Sequence, residues 1–144
     1  MATTNFDAIS LDSTLAVGTN ATIAGTLAVT GATTLTGALS APVPVEVASV
    51  NGAISIKHGL VVLTKAGVAA MTLAAPTAGT DDGKILYIVA TTANAHTVTI
   101  ANGLSGAGAG ADVGTFGGAV ADRVVLIAYN GAWYPLVNVN VTFA

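Results

Sequence analysis

The sequence predicts an all-β protein: a β-sandwich or barrel-like domain preceded by a short-strand repeat or extended arm. Three observations carry this. From residue 45 onward, β-rich runs recur at roughly 8–12 residue intervals, the spacing of sandwiches and barrels. Asn-Gly and Asp-Gly pairs, which favour the positive φ angles of tight hairpins, fall between those runs. No segment carries a helical apolar stripe with caps at its ends.

The N-terminal part, residues 1–41, contains an internal repeat. Residues 15–26 read LAVGTNATIAGT and residues 27–38 read LAVTGATTLTGA, with Leu15, Ala16, Val17, Thr22 and Ile23 matched by Leu27, Ala28, Val29, Thr34 and Leu35. Gly18, Gly25, Gly31 and Gly37 add a finer beat. Each Gly costs a helix about 1 kcal/mol relative to Ala, so the segment reads as very short strands between glycine turns. Such a ladder buries its apolar stripe only by stacking on neighbours. Three chains around an axis would bury Val17, Ile23, Val29 and Leu35 against their symmetry mates; a low-complexity linker is the alternative. Pro42 and Pro44 then mark a stiff, extended boundary over residues 42–44.

Residues 45–144 form the predicted β domain. Strands are expected at 45–50, 53–57, 60–64, 69–74, 84–92, 97–101, 123–129 and 133–141. Asn130-Gly131, between two β-rich runs, is the strongest hairpin signal. Val137, Val139, Val141 and Phe143 alternate with polar residues, a period of two with one apolar face. The glycine-rich stretch from Gly103 to Asp112 is expected to be a long surface loop or a segment packed on another chain.

Composition narrows function. Only 8% of the residues are charged, against about a quarter in an average soluble domain. Four Lys plus Arg and a net charge of −3 leave no basic footprint, so no nucleic-acid partner is expected. Mean hydropathy is +0.76, which opposes disorder. Thr, Gly, Asn and Ser interrupt every apolar run before the roughly 20 residues of a spanning helix, and no membrane partner is expected. The N-terminus lacks the basic start of a signal peptide. With no cysteine, thiolate metal sites and disulfides are excluded.

Chemistry-bearing residues are few. His58 and His96 fit no metal-ligand spacing and are expected to be solvated or singly hydrogen-bonded. Asp81-Asp82-Gly83 lacks the rest of a calcium loop and reads as a turn. Gly106, Gly108 and Gly110 lack the Lys-Ser/Thr ending of a phosphate loop. Asp122-Arg123 reads as a local or intersubunit ion pair. No carboxylate pair or nucleophile–base set suggests a glycosidase or hydrolase, so the chain is expected not to be an enzyme, with no catalytic residues, cofactor or metal. Tyr87, Tyr129, Trp133 and Tyr134 are either core or a partner-contact platform.

Several stretches resemble small tailed-bacteriophage proteins usually encoded beside head structural genes. They are VAAMTLAAPTAGTDDGK at 68–84, IVATTANAHTV at 88–98, DVGTFGGA at 112–119 and AYNGAWY at 128–134. The N-terminal repeat is similar to the threonine- and glycine-rich trimeric shafts of phage fibres. The resemblance implies a virion structural protein: a head decoration (cement) or head-fibre protein, homotrimeric, on the outer surface of the capsid, with the major capsid protein as partner. The repeat would lie along the shell as an arm or project as a short shaft. The competing expectation is a tail-fibre or spike component that binds host glycan or protein through the four aromatics.

Overall fold

A computed structural model of the chain describes residues 22, 24–26, 28–34, 43–100, 104 and 112–144. The chain packs as two units, Met1–Leu39 and Ser40–Ala144. In the first unit the described residues are exposed and none lies in a strand. Bends fall at Ala24-Gly25 and Thr30-Gly31, on the glycine beat read from the repeat. Val29 is exposed, while Val17, Ile23 and Leu35 lie outside the described residues.

The second unit is all-β: two mixed sheets of five strands, not closed into a barrel. The chain alternates between them. Strands β1 (Val45–Ala48), β3 (Gly59–Leu63) and β5 (Ile85–Ala90) lie parallel in the first sheet. Strands β2 (Gly52–Ile54), β4 (Ala70–Leu73) and β6 (Thr97–Thr99) lie parallel in the second. Parallel neighbours need a long crossover; here the crossover of each sheet is a strand of the other. Antiparallel strands complete both sheets. β8 (Arg123–Tyr129) and β9 (Ala132–Val139) extend the first in the order β1-β3-β5-β8-β9. β7 (Val113–Phe116) and β10 (Val141–Phe143) extend the second in the order β10-β7-β6-β4-β2.

One core lies between the sheets. Val61, Leu63, Leu86, Ile88 and Leu126 face inward from the first, and Ile54, Met71, Leu73, Val98 and Phe116 from the second. Trp133 is fully buried among them and donates its indole N–H to the Ala74 carbonyl at 3.0 Å. Of the four aromatics singled out in the sequence, Trp133 is therefore core, not platform.

Threonine has a local role at the corners. The hydroxyls of Thr64, Thr91 and Thr92 donate to the carbonyls of Ala48, Leu63 and Lys65 at 3.4, 3.0 and 2.8 Å. The backbone N–H groups of Thr64 and Thr91 reach the same Ala48 and Leu63 carbonyls at 3.0 Å. Carbonyls that leave a ladder where the chain turns thus keep partners.

Three sequence expectations change. The loop expected from Gly103 to Asp112 lies, but for Leu104 and Asp112, outside the described residues, and an unexpected strand, β7, follows it, because Phe143 and Val141 pack over Gly114, whose missing side chain makes the room. The expected 133–141 strand breaks at Asn140 (φ 55°), and the chain changes sheets there. The alternation 137, 139, 141, 143 therefore does not line one face: Val137 and Val139 point out of the first sheet, and Val141 is buried under the second. The 129–132 hairpin forms as expected, with Asn130 at φ 48° and Gly131 at φ 79°.

Gly59 opens β3 at φ +105°, and a Cβ there would overlap the Pro44 carbonyl oxygen. That carbonyl accepts the Leu60 N–H at 2.9 Å, so it cannot move away without losing the first bond of the β1–β3 corner. Gly59→Ala should cost roughly 2–4 kcal/mol in a denaturant titration. Gly52→Ala, which meets open space in β2, should change stability by less than about 1 kcal/mol.

Candidate functional site

The polar residues of the β domain that sequence reasoning examined for chemistry act as ties between segments. Asp81 is buried in the turn before β5. Its carboxylate receives Lys57 Nζ and Lys84 Nζ, both at 2.7 Å, and the Thr77 N–H at 2.6 Å. The Lys57 ammonium, then Lys84 and the Thr77 N–H, hold its carboxyl well below the usual carboxylate range. Asp82 accepts the N–H of Asn130 at 2.8 Å, which fastens this turn to the β8–β9 hairpin. The expected turn is present, but its carboxylates also reach segments distant in sequence.

Asp122 does not pair with Arg123. Its carboxylate accepts the Ala119 N–H at 2.8 Å and the Asn140 side-chain amide at 2.9 Å. Those two donors, in that order, lower its pKa. Arg123 Nη1 instead donates to the Ala121 carbonyl at 3.1 Å. The Asn140 carbonyl accepts the Gly117 N–H at 2.8 Å, and Asn138 bonds the backbone of Val141 in both directions. Together these bonds hold the corner where the chain passes from β9 to β10.

His58 is exposed in a bend, as expected. His96 is fully buried and bonded at both ring nitrogens, one more than expected. Nδ1 accepts the Ala69 N–H at 2.9 Å, which leaves the proton on Nε2, 2.9 Å from the Thr92 hydroxyl oxygen. That hydroxyl in turn donates its hydrogen bond to the Lys65 carbonyl. Only neutral imidazole can serve this chain of bonds. Burial foremost, with the Lys65 charge adding to it, lowers the His96 pKa. Among the described residues, no group of three or more His, Asp or Glu could hold a metal ion, and no helix is long and apolar enough to cross a membrane.

What stands out is the outer face of the first sheet. One cross-strand row is Val45, Leu60, Tyr87, Val125 and Val137. The next is Val47, Val62, Val89, Arg123 and Val139. Ile85, Ile127 and Tyr134 form a third row beside them. Arg123 is the one charged residue in these rows, and it is turned back on its own loop. The face is accessible: Val45 is 60% exposed, Val47 61%, Tyr87 48% and Val137 46%. A bulge between Val125 and Leu126 adds exposed Leu136 at its edge. Tyr129 and Tyr134 sit together at one end, ring centroids 6.4 Å apart. An apolar depression of about 430 Å³, lined in part by Val43, His58, Ile85 and Tyr87, adjoins the face.

The outer face of the second sheet is different. There Ala70, Thr97, Thr115 and Thr142 form one row, and Ala53, Thr72, Thr99 and Val113 the other. Sequence reasoning located Tyr87, Tyr129 and Tyr134 but did not join them to the valines. The signal was present: Val45/Val47, Leu60/Val62 and Tyr87/Val89 keep an apolar residue at every second position opposite the core phase.

His96 makes stability depend on pH in a definite direction. Its folded pKa lies below the unfolded value of about 6.5, so the unfolded chain binds the proton more readily. The stability that neutral His96 supplies is present above about pH 6.5 and declines as the pH falls below it. Asp81 and Asp122 add a second loss only below about pH 4, as the pH falls toward their lowered pKa values. Thermal melts at pH 7.5 and 5.5 should show a lower Tm at pH 5.5, and His96→Asn should flatten that difference while lowering both values.

Compared with known proteins, the chain matches no family model, no curated protein and no solved structure.

Proposed function

We propose that this chain is a virion structural protein, a capsid decoration protein that binds and reinforces a phage head as a homotrimer. The observation that supports it is the apolar outer face of the sheet β1-β3-β5-β8-β9, a surface suited to contact with protein. The phage-like stretches of 68–84, 88–98, 112–119 and 128–134 supply the biological setting. Decoration needs many weak, repeated contacts. A trimer joins three such contacts, and the linked sites bind far more tightly than one alone. The examined polar residues, Asp81, Asp122 and His96, are engaged in holding the fold, consistent with a role in contact, not reaction. The partner in this reading is the major capsid protein, and the location is the outer surface of the capsid.

A second reading has one observation in its favour. Tyr129, 62% exposed, and Tyr134 form a tilted aromatic pair of the kind that contacts sugars. In a tail-fibre or spike component, Tyr129→Ala would remove glycan binding and leave the fold intact.

Purified virions separated into heads and tails distinguish the two. Mass spectrometry should find the chain in the head fraction, in many copies per particle. Detection in tails alone, at a few copies, would replace decoration with the fibre reading. Removal of residues 1–41 should abolish binding to undecorated heads in a co-sedimentation assay, if that segment is the anchoring arm. Undiminished sedimentation with heads would reassign the anchor to the β domain.

A further inference from the structure

We infer that the outer face of the sheet β1-β3-β5-β8-β9 is where copies of this chain meet one another, with Tyr87 at its centre. This rests on the reading of the chain as a self-associating structural protein and names the surface that reading lacks.

The two outer faces of the domain serve as each other's control. Both belong to five-stranded sheets on the same core, and they differ in what they present. The second sheet presents mainly threonine, which is compatible with water on that side. The first presents valine, leucine, isoleucine and tyrosine row after row. A sheet apolar on both faces is the pattern of a sheet covered on both faces. Val45, Val47, Tyr87, Leu136, Val137 and Val139, all exposed, lie on or beside this face, and a stable interface takes ~800 Å² of such surface from each partner.

Charge favours a second copy as the occupant. An acidic or basic partner would require a complementary free charge; Arg123, the one charge in the rows, is held by its own backbone, and Lys84, in the depression beside Tyr87, is paired with Asp81 at 2.7 Å. An apolar surface whose few charges are already paired is complementary to a second copy of itself. Net charge of −3 over 144 residues leaves little repulsion between copies. The central strand of the sheet is β5, so Tyr87 lies where an interface is driest and most sensitive to change.

The test is the mass of the full chain in solution, by light scattering and native mass spectrometry. The wild type should run at three times the chain mass. Tyr87→Glu and Val137→Glu each place a charge on an exposed position of the face, and each should yield a folded monomer with an unchanged β-type circular dichroism spectrum. Thr115→Glu, exposed on the opposite face, should retain the wild-type mass. If Tyr87→Glu fails to fold, Val47→Glu on the edge strand, where the side chain is mostly in water, takes its place.

A monomeric wild type would overturn the inference, as would face variants that keep the wild-type mass. A dimer dissociated by the same variants would uphold the face and remove only the trimer. The head–tail fractionation is independent of all these outcomes: a trimer absent from heads leaves this interface standing and removes decoration, whereas a monomer present in heads does the reverse.

Discussion

A strand that is apolar on both faces can satisfy only one of them inside a two-sheet sandwich. This constraint governs the β domain. Val61, Leu63, Leu86 and Ile88 fill the core from one side of β3 and β5, and Leu60, Val62, Tyr87 and Val89 occupy the other. Parallel sheets are usually covered on both faces because crossover helices lie on them. Here the crossover of each parallel pair is a strand of the opposite sheet. The winding covers the inner face of every rung and provides no helix for the outer one. Nothing within the described β domain lies over the apolar rows, and the proposed contact between copies would cover them.

The same winding explains how so few charged groups are needed. Passages between sheets interrupt the hydrogen-bond ladders, and several of these interruptions are repaired by a polar side chain at the corner. Thr64 and Thr91 close corners with their hydroxyls. Glu46 accepts the N–H groups of Ser55 and Ile56 where the chain leaves β2. Asp122 and Asn140 hold the passage from β9 to β10. His96 joins the approach to β4 to the approach to β6. Neutral groups do most of this work, so burial costs less than it would for ion pairs. Glu46 and Asp122 are charged and meet N–H groups, and Asp81 forms ion pairs, with Lys57 from the β2–β3 connection and with Lys84, which lines the depression that adjoins the apolar face.

Much of this was legible in the sequence, and the parts that were not share a cause. Local signals gave the strand positions and the Asn130-Gly131 turn, because β propensity and positive φ act over a few residues. The sheet partners were hidden, since a parallel rung pairs residues that one sequence window never contains: Val45 with Leu60, then Leu60 with Tyr87. β7 was hidden by Gly114, which looks like loop until Phe143 is found packed over it. The break at Asn140 was hidden because the apolar alternation runs through it in phase. Trp133 was divisible between core and surface only when its N–H met the Ala74 carbonyl. The Asp81-Asp82 turn was legible, but the Asp122-Arg123 pair and a singly bonded His96 were not what formed, because the partners of His96, Asp81 and Asp82 include groups 24 to 48 residues away that no motif joins.

Low charge and an apolar face must therefore be considered together. A domain that exposed these rows with an ordinary share of surface charge would place ionised groups at the margin of any contact and desolvate them on closure. A domain with this low charge and a polar outer face would lose colloidal repulsion and gain no specific partner in exchange. In combination, the two properties favour a contact that is dry in the middle, with the nearby charges of Arg123, Lys84 and Asp81 held by partners within the chain. Such a contact also limits the hazard of the open strand edges at β1 and β9. Valines at 45, 47, 137 and 139 lie along these edges, where an isolated sheet invites indiscriminate pairing. Copies that met through this face, as proposed, would bring those edge valines into the same interface. In the proposed assembly, the step that buries the outer face would thus also cover the apolar margin beside the open edges.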